Sequence, residues 1–273
     1  MKAKRLKAKR LEWISAAALV LLLNGCADMQ TVSTQEERQA LAPTGKLRVG
    51  FLSSSALYAR KDPASGELKG VAIDLGTELA RRIGVPFEAV GYPSISAQLA
   101  GAKSGEWDVA MMAINSQRAL IVDFTAPYME VEFSYLVPGG SSISTLSDVD
   151  KPGVRIGVVQ KGGPDVRLSR TLQSATLVRV PTLADMVEAL KTGRADALAA
   201  TKPTLLGMSA KIPASRVLQG RFFTTGIGMA VPKGRAAGAA YVVRFVEEAK
   251  AEGLVKAAIE RAALRGVIVA PLK

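Results

Sequence analysis

The chain of 273 residues contains no histidine and a single cysteine, Cys26. Without imidazole there is no Ser-His-Asp or Cys-His relay and no His-ligated metal centre, and most general-base chemistry at neutral pH is excluded with them. One cysteine cannot close an internal disulfide. Aromatic residues make up 5% of the chain, and no apolar run reaches the roughly 20 residues that a spanning helix needs. What is there, 48% hydrophobic and 22% charged residues, is the composition of a folded chain, long enough for one large domain or two of roughly 100 to 150 residues.

Acidic residues are also in short supply. Asp and Glu number 24 against 36 Lys and Arg, a formal charge of +12. Such an excess ordinarily suggests nucleic acid, but much of it is concentrated at the N-terminus. Residues 1–12 hold Lys2, Lys4, Arg5, Lys7, Lys9 and Arg10 against Glu12, and an apolar stretch broken by Ser15 then runs from Trp13 to Leu23. These are the n-region and h-region of an export signal. Leu23-Asn24-Gly25-Cys26 resembles the bacterial lipoprotein cleavage box, which implies that residues 1–25 are removed and that Cys26 is lipidated. Each methylene of such an anchor adds about 0.8 kcal/mol when buried in a membrane. The remaining chain has 30 basic and 23 acidic residues, or +7, and nucleic acid is no longer an expected partner. Residues 26–45, polar and aperiodic after the cysteine, read as a flexible tether with a coil reach of about 24 Å.

From Lys46 onward short apolar runs alternate with helical patterns, the signature of an α/β fold with a largely parallel sheet. The pattern occurs twice. Leu47-Arg48-Val49-Gly50-Phe51 recurs in type as Val154-Arg155-Ile156-Gly157-Val158, and Lys103-Ser104-Gly105-Glu106-Trp107-Asp108 recurs as Lys191-Thr192-Gly193-Arg194-Ala195-Asp196. Thr182 and Asp185 form a capping-box start for a helix whose Leu183, Met186, Val187 and Leu190 share a face and which stops at Gly193. Leu75, Leu79 and Ile83 mark a second amphipathic helix over 74–83 that stops at Gly84. In open parallel sheets, ligands bind beyond the carboxyl ends of the strands. Four loops are therefore candidates by position: 52–58, 113–118, 160–165 and 200–203.

Gly66-Glu67-Leu68-Lys69-Gly70-Val71-Ala72-Ile73-Asp74-Leu75 resembles the signature of the family 3 extracellular solute-binding proteins, the amino-acid-type receptors of bacterial ABC importers. So do Gly105-Glu106-Trp107-Asp108, Arg118 through Asp123-Phe124-Thr125-Ala126-Pro127-Tyr128, the run Val154 to Gly162, and Gly228-Met229-Ala230-Val231-Pro232-Lys233-Gly234. The resemblance covers about residues 46–265. It implies a two-lobed periplasmic-binding-protein type II fold, each lobe a largely parallel sheet flanked by helices, joined by a two-strand hinge. Lobe 1 would be residues 46–131 plus 226–273 and lobe 2 residues 132–225, with a tail helix over 236–250 returning to lobe 1. The implied protein is a monomeric, lipid-anchored binding protein on the periplasmic side of the envelope, serving an ABC permease, with no cofactor, metal or enzymatic activity. The alternatives on the same scaffold are a cyclohexadienyl-dehydratase-like enzyme, for which no matching Glu motif stands out, and a ligand-sensing module.

The same resemblance assigns candidate ligand contacts. Arg118 stands where the family binds a ligand carboxylate, and a guanidinium fork suits that task; its alternative is a solvated Arg paired with Asp123. Ala113 and Asn115 precede it, the latter able to cap the helix that carries Arg118. Lys161, Gly162 and Gly163 open a helix after a strand, where backbone N–H groups attract anions. Tyr58, with Tyr92 as a second candidate, falls near the family's aromatic wall. Thr201 occupies the place where amino-acid receptors of this family carry an Asp for the ligand's ammonium, and it cannot supply that charge. With Arg118, Lys161 and Lys202 as candidate cations, the expectation is an anionic solute with no required α-amino group.

Overall fold

The computed structural model describes residues Ser33–Lys273. The export segment, Cys26 and the beginning of the tether lie outside the described residues. The later part of the tether is not coil. Thr34 and Glu37 form a reciprocal capping box that starts α1 (Gln35–Leu41), and Leu41 at its end is fully buried. What the local sequence does not reveal is a distant partner: Glu37 pairs with Arg244, and the α1 backbone accepts a bond from Arg235 at Ala40.

β1 (Leu47–Leu52) leads through the short hairpin of β2 (Arg60–Lys61) and β3 (Leu68–Lys69) into α2 (Val71–Ile83). This helix begins three residues before the expected Asp74. Gly70, at φ 143°, passes so close to Tyr58 that a Cβ would come within 2.6 Å of its carbonyl oxygen, and the chain can turn into the helix there. Gly84 ends α2 in the left-handed conformation. β4 (Phe87–Tyr92), α3 (Ile95–Ser104), β5 (Val109–Ala113), α4 (Ser116–Ala119) and β6 (Val122–Phe124) complete the first half. β7 (Met129–Val137) carries the chain into the second half, formed by β8 (Arg155–Val159), α5 (Gly163–Thr171), β9 (Thr176–Val180), α6 (Leu183–Lys191), β10 (Ala197–Thr201), α7 (Lys202–Ser209) and β11 (Arg216–Val217). β12 (Phe223–Pro232) returns to the first half, and α8 (Ala236–Ala251), α9 (Leu254–Arg261) and β13 (Val267–Val269) follow.

Apart from the β2–β3 hairpin, which is a sheet of its own, these strands form one 11-stranded sheet with the path β4-β1-β5-β12-β7-β10-β8-β9, to which β6 adds at β12 and β11 and β13 add at β7. β1 is parallel to β4 and β5, and β8 is parallel to β9 and β10. Between the two parallel sets lies an antiparallel pair, β7 and β12, aligned from Phe133↔Phe223 to Met129↔Ile227. The stacked rings of Phe133 and Phe223, 4.3 Å apart, add to that ladder. Helix faces fill the layers as their periodicity requires. Leu75, Leu79 and Ile83 of α2 are buried, as are Val242, Phe245, Val246 and Ala249 of α8. The expected capping box of α6 is present between Thr182 and Asp185.

The repeated sequence motifs have a common structural cause. In the first half Arg48 donates from Nε and Nη2 to Asp108 at 2.9 and 2.8 Å, while its backbone N–H meets the same carboxylate at 3.1 Å. In the second half Arg155 makes the same three bonds to Asp196, at 3.0, 2.7 and 2.8 Å. Each fork ties the first strand of a half to the start of its neighbour. The two differ in burial. The Asp108 side chain is 0% exposed and takes a second guanidinium from Arg235, whereas Asp196 is 35% exposed.

Removing the charge of Asp108 leaves two guanidinium groups without their buried counter-ion. Asp108→Asn should therefore cost roughly 3 kcal/mol or more of unfolding free energy, and Asp196→Asn about 1 kcal/mol or less. Urea unfolding of both variants checks this; equal losses would refute the burial argument.

Candidate functional site

The loops that leave the carboxyl ends of β1, β5, β8 and β10 enclose one cavity of about 80 Å³. Its walls are largely apolar, from Leu57, Ile95, Met112, Leu183, Met186 and Ile227, and its polar groups are Ser55, Tyr58, Gln98, Arg118, Thr201 and Thr204. Arg118 is the one charged residue in that lining.

Arg118 is 5% exposed. Asn115 is the N-cap of α4, its Oδ1 accepting the Arg118 backbone N–H at 2.9 Å, so the residue leaves a fixed helix end. The guanidinium donates from Nη1 to Ala113 O at 2.8 Å and from Nη2 to Lys161 O at 3.1 Å. One acceptor belongs to each half of the sheet. Both are neutral carbonyls, and Asp123 pairs with Lys233 instead. Burial depresses the Arg118 pKa, with the Tyr58 phenol acting against it, yet arginine stays charged under any ordinary condition. A cation removed from water without a counter-ion is costly, and here it borders open space.

Tyr58 lines the cavity with its hydroxyl at the Ala113 backbone; burial pushes the phenol up to about 12 although Arg118 opposes that shift. It is a neutral hydrogen-bonding group at any working pH. Tyr92 is not part of the wall: its hydroxyl bonds Glu106 at 2.9 Å and its ring packs near Gly101.

The 160–165 loop meets the cavity through backbone. Lys161 takes φ 60°, a left-handed conformation that is uncommon for a side-chain-bearing residue, and donates its N–H to Asp165 Oδ2 at 2.8 Å while its carbonyl receives Arg118. Its side chain is exposed and, with Asn115, borders an outer cavity of about 510 Å³ that Arg118 also touches. Gly162 and Gly163 line the inner cavity at the start of α5, where first-turn N–H groups have no carbonyl ahead of them in the helix. Pro164 is the second residue of that helix, where a missing N–H leaves no intrahelical bond unmade.

Thr201 lines the cavity and caps α7. Its hydroxyl donates to Thr204 Oγ1 at 2.8 Å, and Thr204 lies 3.1 Å from Ser55 Oγ of the other half. Three hydroxyls thus span the cleft. Lys202 is not a ligand-facing cation: its ammonium lies 2.6 Å from Glu132, which also takes Arg221 at 2.6 Å. The local sequence shows the lysine beside the cleft and conceals an acid 70 residues away. Sequence reasoning also missed the contributions of Ser55, Thr204, and Gln98 and Ile95 on α3. The available signal for Gln98 was an amide on the buried face of a helix, together with Ala102.

The model of the bacterial extracellular solute-binding proteins, family 3, matches residues 47–262. The chain belongs to this family. It is 26% identical over 251 residues to the glutamine-binding protein of a Bacillus subtilis ABC transporter, covering 88% of this chain and 91% of that one. A mutant of the ArgBP from T. maritima superposes with a TM-score of 0.72 at 25% identity, over 83% of this chain and 99% of that chain. A third solved structure, an ancestral amino-acid-binding protein described as a precursor of cyclohexadienyl dehydratase, gives 0.69 at 25% identity over 82% and 97%. The mixed α/β fold is that of these solved structures, and the relatives named here are binding proteins, the Bacillus subtilis one of an ABC transporter.

At the cavity wall a Cβ on Gly162 would come within 2.8 Å of the Val159 carbonyl. Gly162→Ala should shift the loop and weaken solute binding by about tenfold, with a change in melting temperature of only a few degrees, because the strain falls at the cavity and not in the core. Calorimetric titration and thermal melts check both parts.

Proposed function

We propose that the protein captures a small carboxylate-bearing solute, an organic anion or an atypical amino acid, and delivers it to an ABC permease on the periplasmic side of the envelope. In this reading it acts as a monomer held to the membrane by a lipid on Cys26. The observation that carries the ligand class is Arg118, a buried guanidinium in a cavity with no carboxylate in its lining. A carboxylate meeting that fork gains two parallel charge-assisted bonds, worth roughly 1.5 to 3 kcal/mol in a desolvated site. The relatives' names, one of them a glutamine-binding protein, support a ligand of amino-acid size. Thr201 and the hydroxyls around it argue against recognition of an ammonium, since hydroxyls alone are a poor substitute for a counter-charge.

Capture works by hinge closure. Residues 46–131 with 226–273 act as one lobe and residues 132–225 as the other, turning about β7 and β12, the antiparallel pair at the centre of the sheet. The bond from Arg118 to Lys161 O and the contact of Ser55 with Thr204 each join one lobe to the other. A ligand that replaces such contacts with stronger ones in the closed form, and cannot make them in the open form, shifts the population toward closure.

Native mass spectrometry of the protein purified from cells is the way to identify a co-purified solute, for which two outcomes are expected. Arg118→Ala should weaken its binding at least about tenfold, and Arg118→Lys should recover part of the loss, because the charge returns without the fork; unchanged affinity would remove Arg118 from the site. Binding should also be flat between about pH 6 and 9, since the cavity has no histidine or carboxylate and Tyr58 titrates near 12. It should fall only as acid protonates the ligand's own carboxylate near pH 4, because the neutral form gains nothing from the guanidinium. A calorimetric pH series with a midpoint near neutrality would refute this assignment.

A further inference from the structure

Gln98 lies on α3 with 2% exposure and borders the cavity. Its Nε2 donates to Gly50 O at 3.2 Å and to Met111 O at 3.3 Å, carbonyls of β1 and β5. These bonds determine which way the amide faces. Both strand groups are acceptors, and nitrogen is the one donor on the side chain, so the oxygen cannot point toward them. The α3 backbone is itself fastened, since Trp107 Nε1 donates to Gln98 O at 2.8 Å. Among the described residues no donor bonds Oε1. Among the described residues Oε1 is not one of the fully enclosed atoms without a partner, so it keeps access to open space, and the cavity is the space that Gln98 lines.

Resting on the carboxylate reading of Arg118, we propose that Gln98 Oε1 receives a second group of the solute, a neutral hydrogen-bond donor such as a hydroxyl or an amide N–H. The chemistry of the wall separates this from an ammonium. With no carboxylate in the lining, one neutral oxygen does not offset the desolvation of a full positive charge, whereas it matches a neutral donor one to one. The size of the site agrees. A cavity of about 80 Å³ has room for roughly three waters at about 30 Å³ each, and so suits a compact acid. The solute class is a small hydroxy- or amido-monocarboxylate, its acid on Arg118, its body against Leu57, Met112 and Met186, and its donor on Gln98.

Matched acids that exchange the donor for a methyl group test this directly. Calorimetric titration of the purified protein compares 3-hydroxybutyrate with 3-methylbutyrate, and succinamate with levulinate. At least one donor-bearing acid should bind about tenfold or more tightly than its methyl partner. In Gln98→Met the ratio should fall below about threefold, while Arg118→Ala should weaken both members of the pair alike. If Gln98→Met does not fold, Gln98→Asn, which withdraws the amide by one carbon, should lower the ratio as well. A wild-type ratio near one in both pairs overturns the proposal without any variant, and so does a ratio that survives in a folded Gln98 variant. Failure of all four acids to bind, with a neutral or cationic solute bound instead, overturns the carboxylate reading beneath it.

Discussion

A guanidinium taken out of water must be surrounded by acceptors, and the cleft of this protein is arranged around that requirement. Arg118 leaves a helix end fixed by Asn115 and reaches one carbonyl in its own half and another in the opposite half. Lys161 adopts a left-handed backbone to bring its carbonyl there, and Asp165 takes up the N–H displaced by that turn. The acceptors are neutral, so the charge is solvated by the protein but not cancelled. This leaves a standing preference for an anion at one point of an otherwise apolar cavity.

The rest of the fold separates paired from unpaired charge. At one end of the strands, Arg48 with Asp108 and Arg155 with Asp196 form matching forks that join neighbouring strands in each half. Next along the chain from Thr201, Lys202 shares Glu132 with Arg221, so both cations are cancelled. What remains in the cavity lining is one charged group, Arg118, among neutral ones, a more selective arrangement than a general accumulation of positive charge. The chain's basic excess is therefore a poor guide to the site, because among the described residues most cations have partners or face water.

The identity of the partners also explains how far the sequence could be read. Helix faces, capping boxes and glycine stops depend on residues three or four apart, and Thr182 with Asp185 or Gly84 after Ile83 could be recognised from spacing alone. The twofold recurrence of strand and Gly-x-x-Asp motifs was visible as a pattern, but its cause, a fork between Arg48 and an Asp 60 residues later, was not. Residues 35–41 looked like tether because a helix of seven residues has little stability of its own; it is held by Leu41 in the core and by Glu37 on Arg244.

By itself the sequence determined the alternation of strand and helix, the family, the four loops at the strand ends and the candidacy of Arg118, because each depends on residue type and local spacing. The tertiary structure alone decided that Arg118 has carbonyls and no acid beside it, that Lys202 turns to Glu132, that Tyr92 belongs to Glu106, and that Gln98 turns its amide nitrogen to the carbonyls of Gly50 and Met111. These are outcomes of long-range pairing. Which of several possible partners a charged or amide group finds is settled by the distance across the folded chain, and no local pattern carries that distance.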